Sequence, residues 1–73
     1  MVHQYKNNGY NIVLDVNSGA IHVVDDVTYD VIEMFEEHSA KEIIEKLDEK
    51  YPKTEKEEAI EEVNELKNNE ELF

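Results

Sequence analysis

The feature that most constrains how this chain can fold is the stretch Asn11–Asp25, NIVLDVNSGAIHVVD. Two β-branched runs, Ile12–Val16 and Ala20–Val24, flank Asn17-Ser18-Gly19. A three-residue connection ending in glycine suits a type I turn closed by a left-handed residue, which glycine adopts without steric cost. The stretch therefore predicts a β-hairpin. Alternation puts Ile12, Leu14 and Val16 on one face of the first arm and Asn11, Val13 and Asp15 on the other. The second arm alternates Ile21 and Val23 against His22 and Val24. Every later segment reads as helix, so no further strand is available to cover the hairpin's outer edge.

Ahead of the hairpin, Val2–Lys6 alternates and Asn7-Asn8-Gly9 is a turn signal, which predicts a first strand at about 2–6 and a three-stranded antiparallel meander. After it, Val27, Val31, Ile32, Met34, Phe35 and His38 fall at helical spacing, giving a helix over 27–37 with Asp26 as N-cap. Ser39 with Glu42 three positions on is a capping box for a second helix, whose stripe is Ile43, Ile44, Leu47 and Tyr51 and which Pro52 ends. Thr54 with Glu57 predicts the same device for a third helix, with Ala59, Ile60, Val63 and Leu66 as a narrow apolar stripe among glutamates. The expected fold class is α+β: a winged helix-turn-helix-like domain, with a three-stranded antiparallel sheet followed by three helices. The apolar Leu72-Phe73 end suggests a segment cut from something longer.

Composition narrows the function. The net charge is −12, with seven lysines and no arginine, and residues 26–73 hold seventeen of the nineteen acids. The helices therefore carry the acidity while the strand half is nearly neutral. Such a field repels a phosphate backbone and lacks the commonest base-reading donor, so a nucleic-acid-binding winged helix is the weaker alternative. A neutral or basic partner is favoured, although acidic helical faces are often simply solvated. No cysteine is present, so neither a disulfide nor a thiolate metal site can staple the fold. Nothing resembles a signal peptide or membrane span, and a cytoplasmic, cysteine-free and metal-free monomer is expected.

Catalytic chemistry is hard to place. His3, His22 and His38 are too far apart in sequence to form a local metal motif. Asp25, Asp26 and Asp30 lack the glycine and bidentate glutamate of a calcium loop. The glutamates lie on hydrophilic helix faces rather than in a pocket that would separate their pKa values. The chain is read as a non-enzyme. What remains is geometric: an exposed strand edge can accept an extended peptide. The run AIHVVD contains neither the lysine nor the proline that commonly protects an edge, although a helix or another domain could equally cover it.

The run HQYKNNGYNIVLDVNSGAIHVVDDVTYDVIEMF, with NGYNIVLDVNSG followed by VDD and YD, resembles the N-terminus of the SCIFF maturases, radical SAM enzymes that install thioether crosslinks in cysteine-rich precursor peptides. The resemblance covers about the first half of the chain; the Glu/Lys-rich second half matches only in pattern and length. It implies a PqqD-like recognition domain spanning 1–73, which binds a precursor's leader as an added strand between the third strand and third helix. Carried onto this chain, the peptide-binding residues are Ile21, His22, Val23, Val24 and Asp25 on the strand. On the helix they are Ala59, Ile60, Val63, Asn64, Leu66 and Lys67. The cysteine motif that ligates the iron–sulfur cluster is absent, so no cofactor is expected in this chain, and S-adenosylmethionine and the clusters would belong to a separate catalytic domain. The other alternative is a structural domain whose edge strand packs on its parent enzyme.

Overall fold

The computed structural model describes residues 2–72. Its elements are β1 (Val2–Asn7), β2 (Tyr10–Asp15), β3 (Ile21–Val24), α1 (Asp26–Met34), α2 (Ala40–Lys46) and α3 (Lys53–Asn68). The strands form one antiparallel sheet in the order β1-β2-β3. The α+β class and the strands-then-helices order agree with the sequence.

The turns show why. Asn8 and Gly9 both take positive φ, 52° and 83°, the pairing that lets a two-residue turn match the twist of its strands. The second hairpin turns over four residues, Val16 to Gly19, rather than the expected three, with Gly19 at φ 75°. Asp15 closes this turn: its carboxylate accepts from the Ser18 hydroxyl at 2.9 Å and the Asn17 amide at 3.3 Å, while its carbonyl accepts from Gly19 at 2.8 Å.

Two helix starts differ from expectation. Asp25, not Asp26, caps α1 by accepting from the Thr28 amide, leaving Asp26 free to accept from Asn11 Nδ2 at 2.7 Å. The α3 start has no side-chain cap, because the helix begins one residue before Thr54 and Pro52 supplies the extended N-cap. Helices α1 and α2 are shorter than their apolar patterns, ending at Met34 and Lys46, with turns completing each connection. The Ser39–Glu42 capping box is present. Hydrogen bonds from the Ser39 backbone first, and then from His38, hold the Glu42 carboxyl below the usual carboxylate range. A depressed folded-state pKa gives stability that is present at neutral pH and lost as pH falls through the carboxylate range. Thermal melts of Glu42→Gln should therefore show a shallower acid-side decline than those of the parent protein.

The core gathers Val13 from the sheet, Val27, Val31 and Ile32 from α1, Ile43 and Leu47 around α2, and Ala59, Ile60 and Val63 from α3. Leu72, beyond the last helix, is fully buried among them. Lys56 is also fully buried, its ammonium donating to the Ile44 carbonyl at 2.9 Å and to Asp48 at 3.3 Å, so α3 is pinned to the end of α2. The Tyr51 hydroxyl donates to Asp30 at 2.6 Å, and burial together with that carboxylate pushes its phenol well above the usual range.

The sheet turns its less apolar face inward. Asn11, Val13 and Asp15 are buried, whereas Tyr10, Ile21 and Val23 stay mostly exposed on the outside. Asn11 and Asp15 are tolerated inside because each is hydrogen-bonded, one to the start of α1 and the other to the hairpin turn.

Candidate peptide-binding edge

The β2–β3 register pairs Asn11 with Val24, Ile12 with Val23, Val13 with His22 and Leu14 with Ile21. The Asp15 amide donates to the Ala20 carbonyl at 2.9 Å, which marks those opposed residues as a hydrogen-bonded pair. Antiparallel pairs alternate between hydrogen-bonded and non-hydrogen-bonded. His22 and Val24 therefore spend their amides on β2. Ile21 and Val23 aim theirs at the open edge.

The sheet has a second open edge on β1, but that strand carries Lys6, a charge of the kind that protects edges. Lys6 itself reaches back over the Tyr29 ring, 5.2 Å from its centroid. β3 has no such residue.

Helix α3 packs chiefly on α1, and two contacts tie it and the tail after it to the two ends of β3. At one end Asp25, Val27 and Thr28 face Glu55, Glu58, Ala59 and Glu62 across a pocket of about 140 Å³. The Thr28 hydroxyl donates to Glu62 there at 3.4 Å. At the other end the His22 ring nitrogen Nε2 lies 2.9 Å from the Glu71 carbonyl oxygen. The tail reaches that position through a Schellman turn: Glu71 donates to the Leu66 carbonyl and Glu70 to that of Lys67, both at 3.0 Å. Glu70 occupies the left-handed position normally given to glycine, at φ 60°.

The helix residues expected at the site separate into three groups. Ala59 is buried at the edge of the pocket beside Asp25, and half-buried Leu66 lies on the same flank at about 100° per residue. Val63 is fully buried in the core, so it offers no surface to a peptide. Ile60 and Asn64 line a different cleft with Ala40 and Ile44 of α2, on the opposite flank, and Lys67 lies over the Phe35 ring, 5.9 Å from its centroid. These last three are not brought together with β3. Where β3 runs into α1, the structure instead sets Glu55, Glu58 and Glu62 against Asp25, Val27 and Thr28, glutamates that the apolar stripe did not single out. Their spacing of three and four along the side of that stripe was the available signal. On the strand, Ile21 and Val23 point outward, His22 and Val24 inward, and Asp25 is committed to capping α1.

A family profile described as Coenzyme PQQ synthesis protein D (PqqD) matches residues 11–68, from the second strand through the end of α3. The chain belongs to the PqqD family. No curated protein matches it. Within this PqqD-family chain the matched span contains the open edge of β3, the capped start of α1 and the glutamate flank of α3. Among the described residues, no group of three histidine, aspartate or glutamate side chains is placed to hold a metal ion, and no helix is long and apolar enough to cross a membrane.

Proposed function

We propose that this chain is a recognition domain that binds the leader of a ribosomally made precursor peptide as a fourth strand on β3, beside α3. It thereby presents the rest of the precursor to a separate radical SAM catalytic domain of the SCIFF type. The observation that supports this most is the pair of unspent amides at Ile21 and Val23, on an edge without lysine or proline, in a chain of the PqqD family. Main-chain pairing supplies affinity with little demand on sequence, and the flank of α3 supplies selectivity. S-adenosylmethionine and the iron–sulfur clusters would be held by the catalytic domain, since this chain has no cysteine to ligate a cluster. A leader strand and one helix flank make an interface below about 1,200 Å², which suits weak to moderate, reversible affinity. Tethering then raises the local concentration of the modifiable segment at the active site.

The test is an NMR titration of the isotope-labelled chain with synthetic leader segments from small cysteine-rich precursors. Shifts at Ile21–Asp25 and on the Glu55–Leu66 flank are expected; shifts confined to α1 and α2, or none at all, count against the reading. The flank's glutamates favour a leader with lysine or arginine. Exposed charge pairs contribute about 0–1 kcal/mol each and are screened by salt. Affinity should fall a few-fold between low and high salt, chiefly through the association rate. An unchanged affinity would remove electrostatic steering and leave strand pairing intact.

A further inference from the structure

The outer face of the sheet is an uncharged surface on a highly charged molecule. Cross-strand pairing sets Tyr5 beside Ile12, Ile12 beside Val23, and Leu14 beside Ile21, with Tyr10 continuing the row along β2. His3 and Asn7 share this face by the same register, and no residue on it is an acid or a lysine, although 36% of the chain is charged. Tyr5, Tyr10, Ile21 and Val23 keep 45%, 61%, 66% and 64% of their surfaces exposed. Together they form a patch on the order of 400 Å², in the size range of functional surface patches.

Resting on the recognition reading above, we propose that this outer face seats the enzyme that modifies the bound peptide, through an apolar, uncharged patch on that enzyme. A second copy of this chain fits less well. Each copy carries a net charge of −12, so two copies meeting on this face repel one another. A larger partner with a neutral or basic surround meets no such repulsion. The face is also continuous with the peptide edge, because β3 gives its outward side chains to one and its free amides to the other. A leader added as a fourth strand alternates its own side chains, so every second one extends the outer patch. Leader and enzyme should therefore tighten each other's binding by the same factor, as linkage requires.

The experiment uses the full chain, a synthetic leader, and the catalytic domain of a SCIFF-type maturase freed of its own recognition domain, with binding followed by calorimetry. Tyr5→Lys and Tyr10→Lys should weaken the catalytic domain's binding at least tenfold while leader affinity stays within about twofold. Tyr5→Ser and Tyr10→Ser serve as milder variants, and amide dispersion checks that each is folded. Leader at saturation should tighten the catalytic domain's binding several-fold. The inference is overturned if the catalytic domain fails to bind, binds the lysine variants as well as the parent chain, or shifts resonances of the helices alone. It is equally overturned if sedimentation shows that the face is occupied by a second copy. Loss of leader binding in the unmodified chain would instead overturn the recognition reading.

Discussion

Val23→Pro should give a folded domain that no longer holds a leader peptide, whereas His22→Pro should fail to fold or be strongly destabilised. The two residues are neighbours on one strand, and proline removes the backbone donor at each. Their difference lies in where the donor points. The register and the Asp15–Ala20 hydrogen bond assign the His22 amide to the ladder with Val13 and the Val23 amide to the open edge. Proline in a sheet is tolerated only where its missing N–H would have faced outward. At His22 it deletes a ladder bond and also displaces the ring that meets the Glu71 carbonyl. Circular dichroism and amide dispersion report the fold, and leader titration reports the site. For Val23→Pro the expected loss is tenfold or more in affinity, since the removed donor is one of the two that β3 offers and the ring also crowds the incoming strand. A folded Val23→Pro that bound leader as the parent does would place the peptide elsewhere.

The second large effect is expected at Leu72. Its side chain is completely buried in the same cluster as Val13, Val31 and Val63, although it follows the last helix. Leu→Ala at such a site removes the transfer energy of the lost methyl groups and leaves a cavity, a cost of about 2–5 kcal/mol. For a domain this small, whose whole stability is in the range of about 5 kcal/mol, that is a large share. Urea denaturation of Leu72→Ala should show a midpoint much lower than that of Tyr10→Ala, which truncates a larger side chain from an exposed position. Equal midpoints would mean that the tail does not belong to the core. The tail's anchoring also keeps the Glu71 carbonyl against His22, so Leu72→Ala should loosen that end of β3 in hydrogen exchange before the domain unfolds globally.

Leu72 and its neighbours also show how far the sequence reaches. Interactions that close within a few residues were legible in it. Gly19 marked a left-handed turn position, Asn8-Gly9 a tight reversal, and Ser39 with Glu42 a reciprocal cap, because the groups that satisfy each lie three or four positions apart. The order of strands and helices followed from the periods of the apolar residues. The α1 cap was missed by one position because two adjacent aspartates are equivalent in sequence, and only the bond from Asn11 Nδ2 to Asp26 separates their roles. The third cap failed because Pro52 starts the helix ahead of Thr54.

The candidate site was legible as a strand but not as a groove. Alternation identified Ile21–Val24, yet hairpin register decides which amides are free, and that depends on how many residues the turn takes up. An apolar stripe tells which side of a helix faces the core, and it is silent on which flank faces which neighbour. The rotation of α3 is fixed by long-range contacts, the buried Lys56 reaching the end of α2 on one side and Glu62 reaching Thr28 on the other. That rotation turns Asn64 toward α2 and leaves the glutamates against the start of α1, just past the end of β3. The same holds for the sheet: both faces of the hairpin contained apolar residues, and composition alone favoured burying Ile12 and Leu14. The fold instead buries Asn11, Val13 and Asp15, because the inner face is where Asn11 can tie α1 and Asp15 can close its turn. Local sequence thus determined which elements form, and the pairing of polar groups distant in sequence decided which of their faces stay open to partners.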